Sequence, residues 1–216
     1  MSADLSEKLV FYGCVIVAII LHEISHGVVA LWFGDDTAKR AGRLTLNPIP
    51  HIDPFGSIIL PAMLTIVGFG AFGWAKPVPV DPSKLRKPRE QMVLVGLAGP
   101  FTNFALMAIA AMAARLAYSN YSGFADRVAD LPLFIQVLLF FALANLLLGL
   151  FNLLPLPPLD GSSLIERILP ADWLPTWYKF RPYGLLVILL LAFSTNILGT
   201  LFDPFSDALF DFITGG

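Results

Sequence analysis

The sequence predicts an all-α polytopic membrane protein. It should have about five to six transmembrane helices and short extended or β segments beside its functional site. Three observations predict this. First, AVILMFWYC residues make up 56% of the 216 positions and charged residues only 14%, against about 25% charged in a soluble domain. Second, mean hydropathy is +0.74, so too few polar groups remain to cover a water-soluble surface. Third, the charges cluster, leaving five windows of the roughly 20 residues that a helix needs to cross about 30 Å of hydrocarbon. The same arithmetic excludes intrinsic disorder. A net charge of −2 argues against a nucleic-acid partner.

The windows give the elements in order. Leu9 to Gly34 contains one formal charge, Glu23. Positions 54–75, 91–114, 131–159 and 182–202 contain none. Spans are therefore expected near 9–33, 55–74, 91–115, 132–157 and 183–202. Internal Pro and Gly mark the second and fourth as broken or re-entrant. The first eight residues carry Asp4 and Glu7 rather than a basic run, so the first span reads as a retained helix and not a cleaved leader. Five crossings put Lys8, Lys76, Lys84, Arg86, Lys87, Arg89, Arg167, Lys179 and Arg181 on one side. Lys39, Arg40, Arg43, Arg115 and Arg127 fall on the other. The excess makes the N-terminal side cytoplasmic. Cys14, the lone cysteine, reads as a small buried residue.

The connections are informative too. Arg43–Leu46 alternates like a strand before Asn47-Pro48 breaks it. The prolines in 75–90 forbid a helix and fit an extended edge. Gly and Ala in the third span suit packing within the chain or between chains of a homo-oligomer. The whole chain, 1–216, reads as a single membrane domain, with a core at about 8–165 and an additional C-terminal helix at about 183–202.

Chemistry begins in the first span, at His22-Glu23-Ile24-Ser25-His26. A carboxylate at bilayer depth is costly, so it should have a partner and a task. His22 and His26 are four apart and share one helix face, the spacing at which two imidazoles hold one Zn²⁺. Glu23, beside the first ligand, suits a general base toward water at the metal. A catalytic zinc site needs a third protein ligand. Asp160 follows a 29-residue uncharged run, where Pro155, Pro157 and Pro158 unwind the helix. The residues alone leave Asp160 two readings, a metal ligand or an interfacial carboxylate at a helix stop. His51 reads as an interfacial histidine. A metal-ion or proton transporter using the same His and Glu cluster is the alternative function. The near absence of ionisable groups from spans two and five counts against it.

These residues resemble the site-2 protease family, the intramembrane zinc metalloproteases. The resemblance rests on His22-Glu23-Ile24-Ser25-His26-Gly27 early in the chain and on Asn152-x-x-Pro155-x-Pro157-x-Leu159-Asp160-Gly161 later. The stretches 47–56, 73–80 and 98–103 resemble a short, single-core branch without a PDZ domain. The resemblance implies that His22, His26 and Asp160 ligate zinc and that Glu23 activates the water. It implies that Asn152 helps hold the substrate backbone or the oxyanion; the residues alone equally allow a polar partner for unwound carbonyls. Asn103 equally fits a helix-packing hydrogen bond. The implied partners are a transmembrane protein substrate and the lipid bilayer, and the implied location is the cell membrane of a prokaryote. An extended substrate could pair with the 73–80 stretch or with the Arg43–Leu46 strand.

Overall fold

The computed structural model describes residues 2–59, 63, 73–123, 127–194 and 197–215. It is all-helical among those residues, and three helices are long and apolar enough to cross a membrane. These are α1 (Ser2–Trp32), α3 (Pro88–Ser119) and α4 (Leu133–Leu153). They pack pairwise against one another and carry the site. A short α2 (Thr37–Arg40) follows α1. After α4 come α5 (Ser162–Ile168), α6 (Leu174–Phe180), α7 (Gly184–Ser194) and α8 (Ile197–Thr214).

Local sequence explains the boundaries. Pro88 sits in the first turn of α3, where its missing N–H costs nothing. Helix α4 stops at Leu153 because Leu154 precedes a proline and is extended, at φ −58° and ψ 133°. The outer faces of the long helices expose Leu9, Val17, Phe101, Ile109, Leu133 and Phe134. Apolar surface on that scale suits lipid and not water. An apolar cluster of Ala110, Ala114, Ile135, Leu139 and Ala142 joins α3 to α4, and Leu209 and Ile213 of α8 close it. Cys14 is buried and free, with its thiol toward the Val137 carbonyl.

One expectation changes. Arg43–Leu46 is irregular, bending over 44–46, and no strand occurs among the described residues. The run is short, and Gly42, at φ 66°, turns the chain just before it, so it finds no partner to make a ladder. The span expected at 183–202 is helical over Gly184–Ser194 (α7) and again from Ile197 (α8), with 195–196 outside the described residues. Beyond position 202, helix α8 carries Asp203, Asp207 and Asp211 on exposed positions. The span expected at 55–74 lies mostly outside the described residues; its beginning, Pro54–Ile59, is a π-helical turn.

A polar clamp fixes the chain after α1. Asp35 is fully buried. Its carboxylate accepts from the Thr37 N–H at 2.9 Å and the Asp81 N–H at 2.6 Å, with Lys84 Nζ at 3.9 Å. Burial pushes this carboxyl up, but the hydrogen bonds from Thr37 and Asp81, with the Lys84 charge, outweigh it and hold it below the usual carboxylate range. The clamp ties the end of α1 to the stretch that leads back to Val78. Because the folded-state pKa is depressed, its stabilisation is present at neutral pH and is lost as pH falls through the folded value. Asp35→Ala should lower stability at pH 7 by about 1–3 kcal/mol, the cost of stranding buried donors. That deficit should shrink in acid. Urea denaturation of the detergent-solubilised proteins at several pH values checks this; a deficit that does not change with pH contradicts it.

Candidate metal centre

The site is built where α1, α3 and the turn after α4 meet. On α1, one helical turn brings the His22 and His26 rings together, with centroids 4.7 Å apart and planes at 84°. Both residues are buried. The unwound chain after α4 returns Asp160 to them. Its Oδ2 lies 3.0 Å from His22 Nε2 and 3.3 Å from His26 Nε2, and the two Nε2 atoms are 3.1 Å apart. The turn is held by the Gly161 N–H, which donates to the Asn152 carbonyl at 2.7 Å. A Cβ on Gly161 would lie 2.6 Å from the Leu154 carbonyl oxygen, so only glycine lets the chain fold back this closely.

The remaining ring nitrogens are tied down. His26 Nδ1 lies 2.6 Å from the Val95 carbonyl on α3, and a carbonyl only accepts, so this nitrogen carries the proton. Pro100 has no N–H to give to the carbonyl of Gly96 four residues before it, which loosens α3 in this same turn. His22 Nδ1 lies 2.6 Å from Asn103 Oδ1. The His22 ring also lies flat against Gly99, where any Cβ would collide with it. With the proton of each neutral ring on Nδ1, both Nε2 atoms present lone pairs.

Three acceptors therefore converge. Asp160 Oδ2 is buried and has no hydrogen-bond donor, and its two nearest neighbours are nitrogen lone pairs. Such a trio is repulsive unless a cation occupies its centre. Zinc with bonds of about 2.0–2.1 Å would hold tetrahedral ligand atoms about 3.3 Å apart. The observed separations of 3.0–3.3 Å match that spacing. The donor set of two imidazoles and a carboxylate is one that zinc accepts in catalytic sites, with a fourth position open. The three residues fit the metal, and among the described residues they are the one such grouping.

Around this trio the other expected residues take distinct places. Glu23 is half-buried, and its Oε2 accepts the Val78 N–H at 2.7 Å. Asn152 donates from Nδ2 to the Leu148 carbonyl of its own helix at 3.0 Å. His51 is buried outside the trio, with Nε2 at 3.0 Å from the Thr45 carbonyl. Asn103 is more than a packing contact, because it reaches a ring of the trio. Asn145 was missed by sequence reasoning. It is fully buried on α4, and its Oδ1 accepts from Asn103 Nδ2 at 2.8 Å. The available signal was a carboxamide in the middle of the longest uncharged run, between Gln136 and Asn152.

Comparison with known proteins agrees with this geometry. Residues 122–193, which include Asp160, match the family described as "Peptidase family M50". The chain is 42% identical over 177 residues to "Putative zinc metalloprotease YwhC" of Bacillus subtilis, covering 82% of this chain and 76% of that one. The chain belongs to peptidase family M50. This is the site-2 protease family, and the chain is a short zinc metalloprotease of it. A second M50 relative is "Putative zinc metalloprotease Rip2" of Mycobacterium tuberculosis (strain H37Rv), 31% identical over 87% of this chain and 68% of that one. "Zinc metalloprotease MJ0392" of Methanocaldococcus jannaschii is 26% identical over 76% of this chain and 35% of that one. No solved structure matches the chain.

Proposed function

We propose that this multi-pass M50 metalloprotease is an intramembrane endopeptidase. Its substrates would be proteins cut in or near their transmembrane segments. The observation that carries this reading is the place of the metal trio: two of its three residues lie inside a membrane-length helix, packed between two others. A peptidase that worked on soluble chains would have no use for a centre enclosed by apolar spans.

In this reading His22, His26 and Asp160 hold zinc. The metal, when bound, supplies a Lewis acid that polarises the scissile carbonyl and acidifies the attacking water. Glu23 accepts that water's proton and returns it to the leaving amine. The Val78 N–H fixes the carboxylate so that one oxygen stays free for this work. Asn152, once turned from Leu148, would donate to the substrate backbone or the oxyanion. The substrate must be locally unwound, because helical carbonyls are already hydrogen-bonded. Pairing with the 73–80 stretch is restricted. The Trp74, Lys76 and Val78 N–H groups already bond Gly56, His51 and Glu23, and Pro77 and Pro79 have no N–H. The cell membrane, with the N-terminus cytoplasmic, is the proposed location.

The test uses the purified protein in detergent and a synthetic peptide of one apolar transmembrane segment with a central Gly-Ala pair. Cleavage within the apolar segment, abolished by 1,10-phenanthroline and restored by zinc, is expected. Zinc binding with no cleavage, together with zinc flux into vesicles containing the protein, would instead support transport.

A further inference from the structure

We propose that Asn145 is a positioning residue that sets the tautomer of His22 through Asn103, and so decides whether His22 can bind metal. The proposal rests on the metal-site reading and not on peptide hydrolysis. Its basis is a directed chain of hydrogen bonds across three helices. It starts at a group whose polarity cannot vary, the backbone carbonyl of Phe141 on α4, which can only accept. Asn145 Nδ2 lies 2.8 Å from that oxygen. The amide of Asn145 must therefore turn its NH₂ to Phe141, leaving Oδ1 facing Asn103. Oδ1 can only accept, so Asn103 must turn its own NH₂ to Asn145, at 2.8 Å. Asn103 Oδ1 then faces His22 Nδ1 at 2.6 Å. A carbonyl oxygen there requires a proton on Nδ1 and leaves the Nε2 lone pair pointing at Asp160 and His26.

Nothing closer could do this. An isolated carboxamide is nearly symmetric and presents either its oxygen or its NH₂ to a ring nitrogen. Turned the other way, Asn103 would donate to Nδ1 and stabilise the tautomer with the proton on Nε2, which blocks the metal position. Asn103 and Asn145 are both fully buried, so water cannot substitute for a lost partner and the choice has no solvent escape. The cost of two buried carboxamides between apolar helices has an explanation here: together they carry the direction of one backbone carbonyl to a metal ligand.

The experiment compares wild type with Asn145→Leu, which removes the acceptor at similar volume, and with Asn145→Asp. A neutral Asp carboxyl keeps the polarity, with C=O toward Asn103 and O–H toward Phe141. Nitrogen-15 NMR of histidine-labelled, metal-free protein in detergent reads the His22 tautomer; the chain has only three histidines. Chelator competition reads zinc affinity. Wild type and Asn145→Asp should show the Nδ1–H form. Asn145→Leu should show Nε2–H signal and bind zinc about 10–100-fold more weakly, the usual effect of losing an outer partner of a metal-bound histidine. Asn145→Leu that keeps both the wild-type tautomer and the wild-type affinity overturns the proposal. So does Asn145→Asp that falls as far as Asn145→Leu, since a packing defect would not respect polarity. Wild type that binds no zinc at all would instead sink the metal-site reading.

Discussion

Glu23→Gln should retain zinc and lose proteolysis. Glutamine keeps the shape of the side chain and can still accept the Val78 N–H that holds Glu23 Oε2 at 2.7 Å. The variant should therefore fold normally, and the His22, His26 and Asp160 trio does not include this residue. What disappears is a group able to take a proton. A positioned general base is worth roughly 10²–10⁴ in rate, so cleavage of the synthetic transmembrane peptide should fall by at least the lower figure. Zinc should stay near one equivalent per chain, as a single three-ligand site requires. Equal cleavage by both proteins would remove Glu23 from the mechanism.

The second large effect is expected from Asp160→Ala. It removes the only oxygen of the trio and leaves two imidazole Nε2 atoms 3.1 Å apart. Two protein ligands are fewer than a catalytic zinc site uses. Affinity should fall by more than the roughly 10–100-fold typical of an outer-partner loss, and activity with it. Titration with a zinc-selective indicator measures this. Asp160→Ala that binds zinc as tightly as wild type would mean that the metal is held elsewhere.

Much of this site was legible because membrane helices make polar residues conspicuous. His22, Glu23 and His26 stand in an apolar span with spacing that only a helix turns into a shared face, and α1 is that helix. Asp160 could be seen from the prolines that end α4. Its ligand role could not be read from spacing, because the approach depends on a turn closed by Gly161 and Asn152. Asn145 was overlooked because a carboxamide carries no charge and belongs to no motif; its role exists only once α3 and α4 are packed. The strand at 43–46 failed for the opposite reason. Alternation over four residues is a weak signal, and among the described residues no neighbouring strand completes it.

The central claim is that two histidines and one aspartate hold zinc inside the membrane domain. Zinc-edge X-ray absorption of the purified, detergent-solubilised protein tests it most directly. The account predicts a first shell of nitrogen and oxygen alone, at about 2.0–2.2 Å, with imidazole scattering from two rings. The Asp160→Ala variant should lose this signature. A sulfur scatterer at about 2.3 Å, which would implicate Cys14, or an unchanged spectrum in Asp160→Ala, would contradict it.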